Sequence, residues 1–179
     1  MKLIARFSFV VLPFVLAPTN ASDLFCATST GQAAPELVVE ELDGHTFDLA
    51  AERGKVTIVN FWATWCPPCR KEMPALDAFY KRYHTLGLEM IGLSADRPRD
   101  RSEVIKVMQS FSYPAAMLDD AKSNGFDKPS ALPVTYVIDK NGNLQAELIP
   151  DERPLTEESL AAIVLPLLPR PSGTQGSSH

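Results

Sequence analysis

Val56–Trp62 (VTIVNFW) is a nearly unbroken apolar and β-branched run. A strand of this kind is covered on both faces and lies inside a sheet. The pattern around it predicts a succession of elements. Leu37–Leu42 and His45–Leu49 are short extended runs on either side of Asp43-Gly44, a strong hairpin-turn pair. From Pro67 to Leu86, the residues Met73, Leu76, Phe79, Tyr80 and Tyr83 recur at helical spacing. Pro74 lies within that helix and is expected to kink it; Gly87 fits its end. Leu88–Ser94 reads as a second strand. Ser102–Phe111 reads as a helix capped by Ser102, with Val104, Ile105, Val107 and Met108 facing inward. Pro114–Leu118 is expected to be a short strand, and Asp119–Leu132 a loop holding Gly125 and Pro129. Val134–Asp139 is a further strand, which Asn141-Gly142 turns into Leu144–Ile149. Thr156 opens a last helix with Glu157 and Glu158 in its first turn, and Pro166 and Pro169 end it. This order describes an α/β domain whose early strands are parallel and whose late strands are antiparallel.

The two ends of the chain stand outside the pattern. Met1–Ala21 has a positive start at Lys2 and Arg6, an apolar run over Phe7–Leu16 and small residues at Thr19–Ala21. That is the arrangement of a signal peptide, and the run is too short to span a bilayer. The competing reading is an uncleaved N-terminal anchor. Residues 22–31 read as a flexible leader. Residues 169–179, rich in Gly, Ser and Pro, read as a disordered tail. One domain remains, over residues 32–168, with no internal repeat. The formal net charge of -5 argues against nucleic acid as a partner. Three cysteines exclude a dense disulfide scaffold and leave at least one without an internal partner. Cys26 falls in the leader, and Asp23-Leu24-Phe25 before it does not suit a lipoprotein.

The chemistry centres on Cys66-Pro67-Pro68-Cys69, which follows the VTIVNFW strand and opens a helix. A helix start offers free backbone N–H groups and the positive end of the helix dipole, and both favour a thiolate. Cys66, ahead of the first turn, is expected to be the more exposed sulfur and the attacking one. Cys69, inside the turn, then resolves the mixed disulfide. Pro67 and Pro68 suit the first helical positions and stiffen the turn. A zinc half-site is disfavoured because no second CxxC or HxxxH follows. A purely structural disulfide would close a very short loop and remove little entropy. His45 and His84 are candidate copper ligands without metal-ligand spacing to the cysteines. A peroxidase reading fails because the Thr or Ser it needs three residues before the cysteine falls at Ala63.

The stretch Asn60–Pro74 (NFWATWCPPCRKEMP) resembles the active-site segment of the TlpA/ResA-like branch of the thioredoxin superfamily. Pro74 matches the family's helix proline. Leu132-Pro133-Val134-Thr135 matches the segment that places a cis proline opposite the CxxC, and Asp139 with Asn141-Gly142 matches a strand ending and turn. The likeness runs over roughly residues 33–165. It implies a thioredoxin-like fold: a central mixed β-sheet flanked by helices, with an N-terminal hairpin and an extra strand–helix insertion at about 98–118. It implies a cis bond at Pro133 that presents the Leu132 backbone to a substrate strand beside Cys66. Trp65, Pro67, Pro68 and Leu132 are then the docking residues, and Trp62 is structural packing. The family position that often carries Asp is Asn60 here, which cannot accept a proton. Glu72 matches an active-site carboxylate of the ResA-like proteins. It shares a helix face with Cys69 and could lie near the sulfurs, or it could be a solvated glutamate paired with a nearby Lys or Arg.

The catalytic candidates are therefore Cys66, Cys69, Glu72 and Pro133, with a redox-active disulfide and no cofactor or metal. The resemblance implies an exported thiol–disulfide oxidoreductase of the periplasm or cell envelope. It favours a reductant of protein disulfides, fed by a membrane electron donor and serving cytochrome c or copper-site assembly. The acidic loop lacks the Gly-Val-x-Gly-x-Pro-Glu segment of dedicated cytochrome c maturation thioredoxins. Two alternatives stand beside this reading. One is a Cu(I)-handling protein that binds metal through the soft sulfurs of the CxxC; the other is an envelope disulfide oxidant or isomerase.

Overall fold

The structure, a computed structural model, describes residues 31–126, 128–149 and 154–169. The expected signal peptide, Cys26 and nearly all of the expected leader and tail lie outside the described residues. Seven strands form one mixed sheet: β1 (Leu37–Glu41), β2 (Thr46–Asp48), β3 (Val56–Trp62), β4 (Leu88–Ser94), β5 (Ala115–Asn124), β6 (Val134–Ile138) and β7 (Leu144–Leu148). Their order is β2-β1-β5-β4-β3-β6-β7. The β3–β4 and β4–β5 pairs are parallel and the others antiparallel. Among the described residues three α-helices accompany the sheet: α1 (Pro67–Tyr83), α2 (Arg101–Met108) and α3 (Glu157–Val164). This is the thioredoxin-like architecture that the resemblance implies. The insertion between β4 and β6 is built from α2 and β5.

All seven residues of β3 are buried, as its composition predicts. The two covers differ in kind. One core joins Val56, Ile58 and Trp62 of β3 to side chains from all three helices and to Cys66 and Cys69. The other joins Val59 and Phe61 to Leu37, Val39 and Phe47 of the β1–β2 hairpin, to Leu49 and to Phe126, with no helical residue among its members. Phe61, Phe126 and Tyr136 pack there as three aromatic rings with centroids 4.9–5.8 Å apart. This cluster holds Phe126, just past β5, against β3 and β6.

Local signals place the turns and the last helix. Gly44 has φ 90° in the β1–β2 turn, where Asp43 accepts the His45 N–H at 3.0 Å. The Thr156 hydroxyl caps α3 by accepting the Ser159 N–H at 3.2 Å, and the Ser159 hydroxyl oxygen accepts the Thr156 N–H in return. Helix α1 continues through Pro74, which is exposed, and ends at Tyr83 rather than Leu86; a 3₁₀ turn over His84–Leu86 follows.

Three expectations are corrected. The strand after α2 runs to Asn124, because β1 supplies an antiparallel partner as far as Leu37↔Asn124. The mostly polar stretch 119–124 can follow it because that half of β5 buries little. Ser102 does not cap α2. A 3₁₀ turn over Pro98–Asp100 starts the helix earlier, with Asp100 at the cap and its carboxylate bonded to Arg97 instead. Ile105 points outward at 39% exposure, since a two-turn helix buries one stripe, here Val104, Val107 and Met108.

Asp77 ties α1 to the segment before β5. Its carboxylate, 7% exposed, accepts the Ser112 N–H at 2.6 Å and hydroxyl at 2.7 Å, and pairs with Lys81 at 2.6 Å. Burial pushes its pKa up, but the bonds from Lys81 and Ser112 outweigh burial and hold it below the ordinary 3.8. Its stabilising effect is therefore present above pH 3.8 and is lost as pH falls through the lower folded-state value. Asp77→Asn should cost about 1–3 kcal/mol at neutral pH in urea unfolding. The gap to wild type should narrow as pH falls below 3.8 and the carboxylate takes up its proton; a gap unchanged by acid would contradict this account.

Candidate active site

At the end of β3 the chain turns through Ala63–Cys66, closed by the Cys66 N–H bonding the Ala63 carbonyl at 3.2 Å. Helix α1 then begins with Pro67 and Pro68 at its first two positions and Cys66 as its N-cap. A helix start normally leaves four N–H groups without partners. Here all four are accounted for. That of Cys66 is taken by the turn, and the two prolines have none. The fourth, on Cys69, donates to the Cys66 sulfur at 3.2 Å. The double proline thus leaves one donor at this helix end, and it points at Cys66.

Cys66 and Cys69 form a disulfide with their Cα atoms 5.3 Å apart. Both are buried, at 4% and 1% exposure, so the expected difference between them is small. Their surroundings are less evenly covered. Trp65 is 67% exposed, and Pro67 and Pro68 are exposed, so an apolar rim stands around Cys66. The register Phe61↔Val134 brings Pro133 level with Trp62, at the end of the sheet from which the Cys66 turn departs. The Leu132–Pro133 bond is cis. Leu132 is half-buried and touches both cores.

Beneath the cysteines, Asn60 is buried between Ile58 and Trp62 on the helix-covered face. Its amide donates to Thr135 Oγ1 at 2.9 Å, across the β3–β6 pair. Glu72 is not a solvated surface residue: it is buried at 5% exposure, and its Oε1 accepts the Leu155 N–H at 2.9 Å. Two polar groups at this end escaped the sequence reading. Asp96 is buried just past β4 and binds Thr64 in the Cys66 turn, and Leu155 supplies the N–H for Glu72. The only outward signal of Asp96 is a polar Ser-x-Asp ending where β4 leaves the sheet.

Neither candidate copper histidine joins the cysteines. His45 pairs with Asp43 at 3.0 Å, which raises the imidazole pKa, and His84 Nδ1 lies 3.2 Å from the Tyr80 carbonyl oxygen. Among the described residues, one group of three side chains could hold a metal ion. It is Glu41, Asp43 and His45, on the β1–β2 hairpin, without a cysteine.

A mixed thioredoxin-like sheet, a CxxC pair at a helix start and a cis proline beside it define a thiol–disulfide oxidoreductase. Residues 30–147 match the AhpC/TSA family, and the chain belongs to it. It is similar to the thiol-disulfide oxidoreductase ResA of Bacillus cereus, with 32% identity over 139 residues, covering 78% of this chain and 79% of that protein. ResA of Geobacillus kaustophilus is 33% identical over 120 residues, covering 66% of this chain and 68% of the relative. A thiol:disulfide interchange protein of the thioredoxin family from Chlorobium tepidum superposes with TM-score 0.63 at 26% identity, over 79% of this chain and 99% of that one. The protein is accordingly a redox enzyme whose substrates are proteins bearing cysteines.

The geometry separates the two sulfurs. In the reduced protein, iodoacetamide should label Cys66 before Cys69, because Cys66 receives the helix N–H. Cys69→Ser should accumulate mixed disulfides through Cys66. Peptide mapping that finds Cys69 labelled first would reverse the two roles.

Proposed function

We propose that this protein is an exported reductant of protein disulfides in the cell envelope. The observation that carries the reading is the Cys66 sulfur, set at the start of α1 under the Cys69 N–H and ringed by exposed Trp65, Pro67 and Pro68. An apolar rim suits a protein surface better than a small polar thiol. In this reading an extended substrate segment lies along the Leu132 backbone, just ahead of β6 and level with the end of β3 from which the Cys66 turn departs. The Met1–Ala21 pattern supports export. A compartment that oxidises cysteines by default needs a dedicated reductant.

In the forward reaction the Cys66 thiolate attacks one sulfur of a substrate disulfide. A mixed disulfide forms, and the other substrate sulfur leaves as a thiolate that takes up a proton. Cys69 then loses its proton and attacks the Cys66 sulfur. This releases the second substrate thiolate and leaves the Cys66–Cys69 disulfide. Two electrons have moved to the substrate, and a membrane electron donor restores the dithiol. Glu72 is the proton acceptor for Cys69 in this scheme, held in place by the Leu155 N–H, since Asn60 cannot take a proton. Apocytochrome c and copper-site assembly proteins are the substrates assigned in this reading, on the family resemblance of the Asn60–Pro74 stretch.

The reduction potential tests the direction of flow. Equilibration with glutathione or thioredoxin should place it near the reducing thioredoxins, at about -270 mV. A value near that of the strong oxidants, about -120 mV, would make the protein an oxidant. Glu72→Gln tests the proton route, because glutamine keeps an oxygen for Leu155 but is not a base. Exchange in stopped-flow assays should slow by roughly tenfold or more. An unchanged rate would send the proton through water.

A further inference from the structure

Strands β3 and β4 run in parallel register to Trp62↔Ser94, and the Ala95 N–H still bonds the Trp62 carbonyl at 2.8 Å. Beyond that point both chains leave the sheet, one toward Cys66 and the other toward Pro98. Asp96 joins them. Its Oδ2 accepts the Thr64 N–H at 2.8 Å and the Ser94 hydroxyl at 2.8 Å, and its Oδ1 accepts the Thr64 hydroxyl at 2.6 Å. The Ser94 hydroxyl oxygen in turn accepts the Asp96 N–H at 3.1 Å. Asp96 is 2% exposed and Ser94 is fully buried.

A carboxylate in such a place is unfavourable unless its oxygens are bonded. None of the described basic side chains pairs with it; the nearby Arg97 and Arg99 both turn to Asp100. Three donors converge from neutral groups, and they need acceptors on both oxygens. An asparagine would put an NH₂ where one of those oxygens stands. The charge is therefore retained for what it holds. Thr64 is the second residue of the Ala63–Cys66 turn, held through both backbone and side chain. The next residue, Trp65, projects to solvent, and the one after is Cys66.

We propose that Asp96 is a positioning residue for thiol–disulfide exchange: through Thr64 it clamps the Ala63–Cys66 turn and so keeps the Cys66 sulfur under the Cys69 N–H. The proposal rests on Cys66 being the attacking sulfur. It differs from a merely structural bond in its consequence. When the clamp slackens, the thiolate loses part of its one backbone donor, and the thiol becomes harder to ionise even though the fold persists.

Thr64→Val is the direct test. It keeps the backbone bond to Asp96 and the bulk of the side chain, and removes only the hydroxyl. The pH midpoint for Cys66 alkylation should rise by about 0.5–1 unit, the size of one hydrogen bond. Reduction of a protein disulfide at pH 7 should slow about threefold to tenfold. Thr64→Ser, which restores the hydroxyl, should recover both. Asp96→Asn should also slow the reaction, and its midpoint should lie below that of Thr64→Val because a buried negative charge has gone. A Thr64→Val protein with wild-type midpoint and rate would overturn the proposal, as would a Thr64→Ser protein as impaired as the valine variant. These outcomes are distinct from failure of the reading beneath. That reading falls if Cys69 alkylates first in the wild type, or if Cys66→Ser still forms mixed disulfides.

Discussion

The register of β3 is the constraint on which the site depends. Buried on both faces, the strand cannot slip by one residue without exchanging its two side-chain sets between cores. Its pairing with β4 ends at Ser94, two residues before Asp96, and its pairing with β6 begins at Val134, next to Pro133. One strand thereby brings three chain segments that are distant in sequence to a single end of the sheet. The chemistry lies in the turns and the helix start just beyond that end. Even the interactions closest to the site, Thr64 with Asp96 and Asn60 with Thr135, are consequences of which residues β3 sets side by side.

The double proline decides which force acts on the sulfur. A helix N-terminus is usually worth about 0.3–1 kcal/mol to a nearby negative group, through partial charge spread over several N–H groups. With prolines at the first two positions those groups are absent, and the Cys69 N–H carries the effect alone. A hydrogen bond to a charged acceptor is worth about 1.5–3 kcal/mol, or one to two pKa units. The directional bond therefore outweighs the diffuse dipole. Such a bond depends on angle and distance far more steeply than a dipole does. That makes the stiffness of the Ala63–Cys66 turn a chemical variable, and gives the prolines and the Asp96 clamp a common purpose on either side of Cys66.

Where a feature was legible in the sequence, its cause lay within a few residues. The β3 composition, the Asp43-Gly44 and Asn141-Gly142 turns, the Thr156 cap and the CxxC at a helix start all carry their reasons locally. The failures share the opposite property. The extension of β5 to Asn124 depends on a partner strand near the start of the domain, and the burial of Glu72 depends on a backbone N–H 83 residues later. Asp96 looks like any exposed acid after a strand until Thr64 is seen to face it. Ile105 is the converse case, an apolar residue left outside because α2 is too short to bury a second stripe.

The same comparison explains why Asn60 can stand where many thioredoxins carry an acid. The described domain already buries Asp96 and Glu72 at this end of the sheet, and each takes at least one backbone N–H. A third carboxylate, on β3, would meet Thr135, whose side chain offers one hydroxyl. Its repulsion with two buried acids would come on top of its own desolvation. A neutral amide avoids the repulsion and the cost of burying a charge, although its Oδ1 is buried without a partner, and it still bonds across β3 and β6, holding the strand that follows Pro133 to the strand that leads into the Cys66 turn. Charge is thus placed on the flanks of the disulfide, where the Ala63–Cys66 turn, Ser94 at the end of β4 and the segment before α3 supply donors. The strand beneath is left to provide register alone.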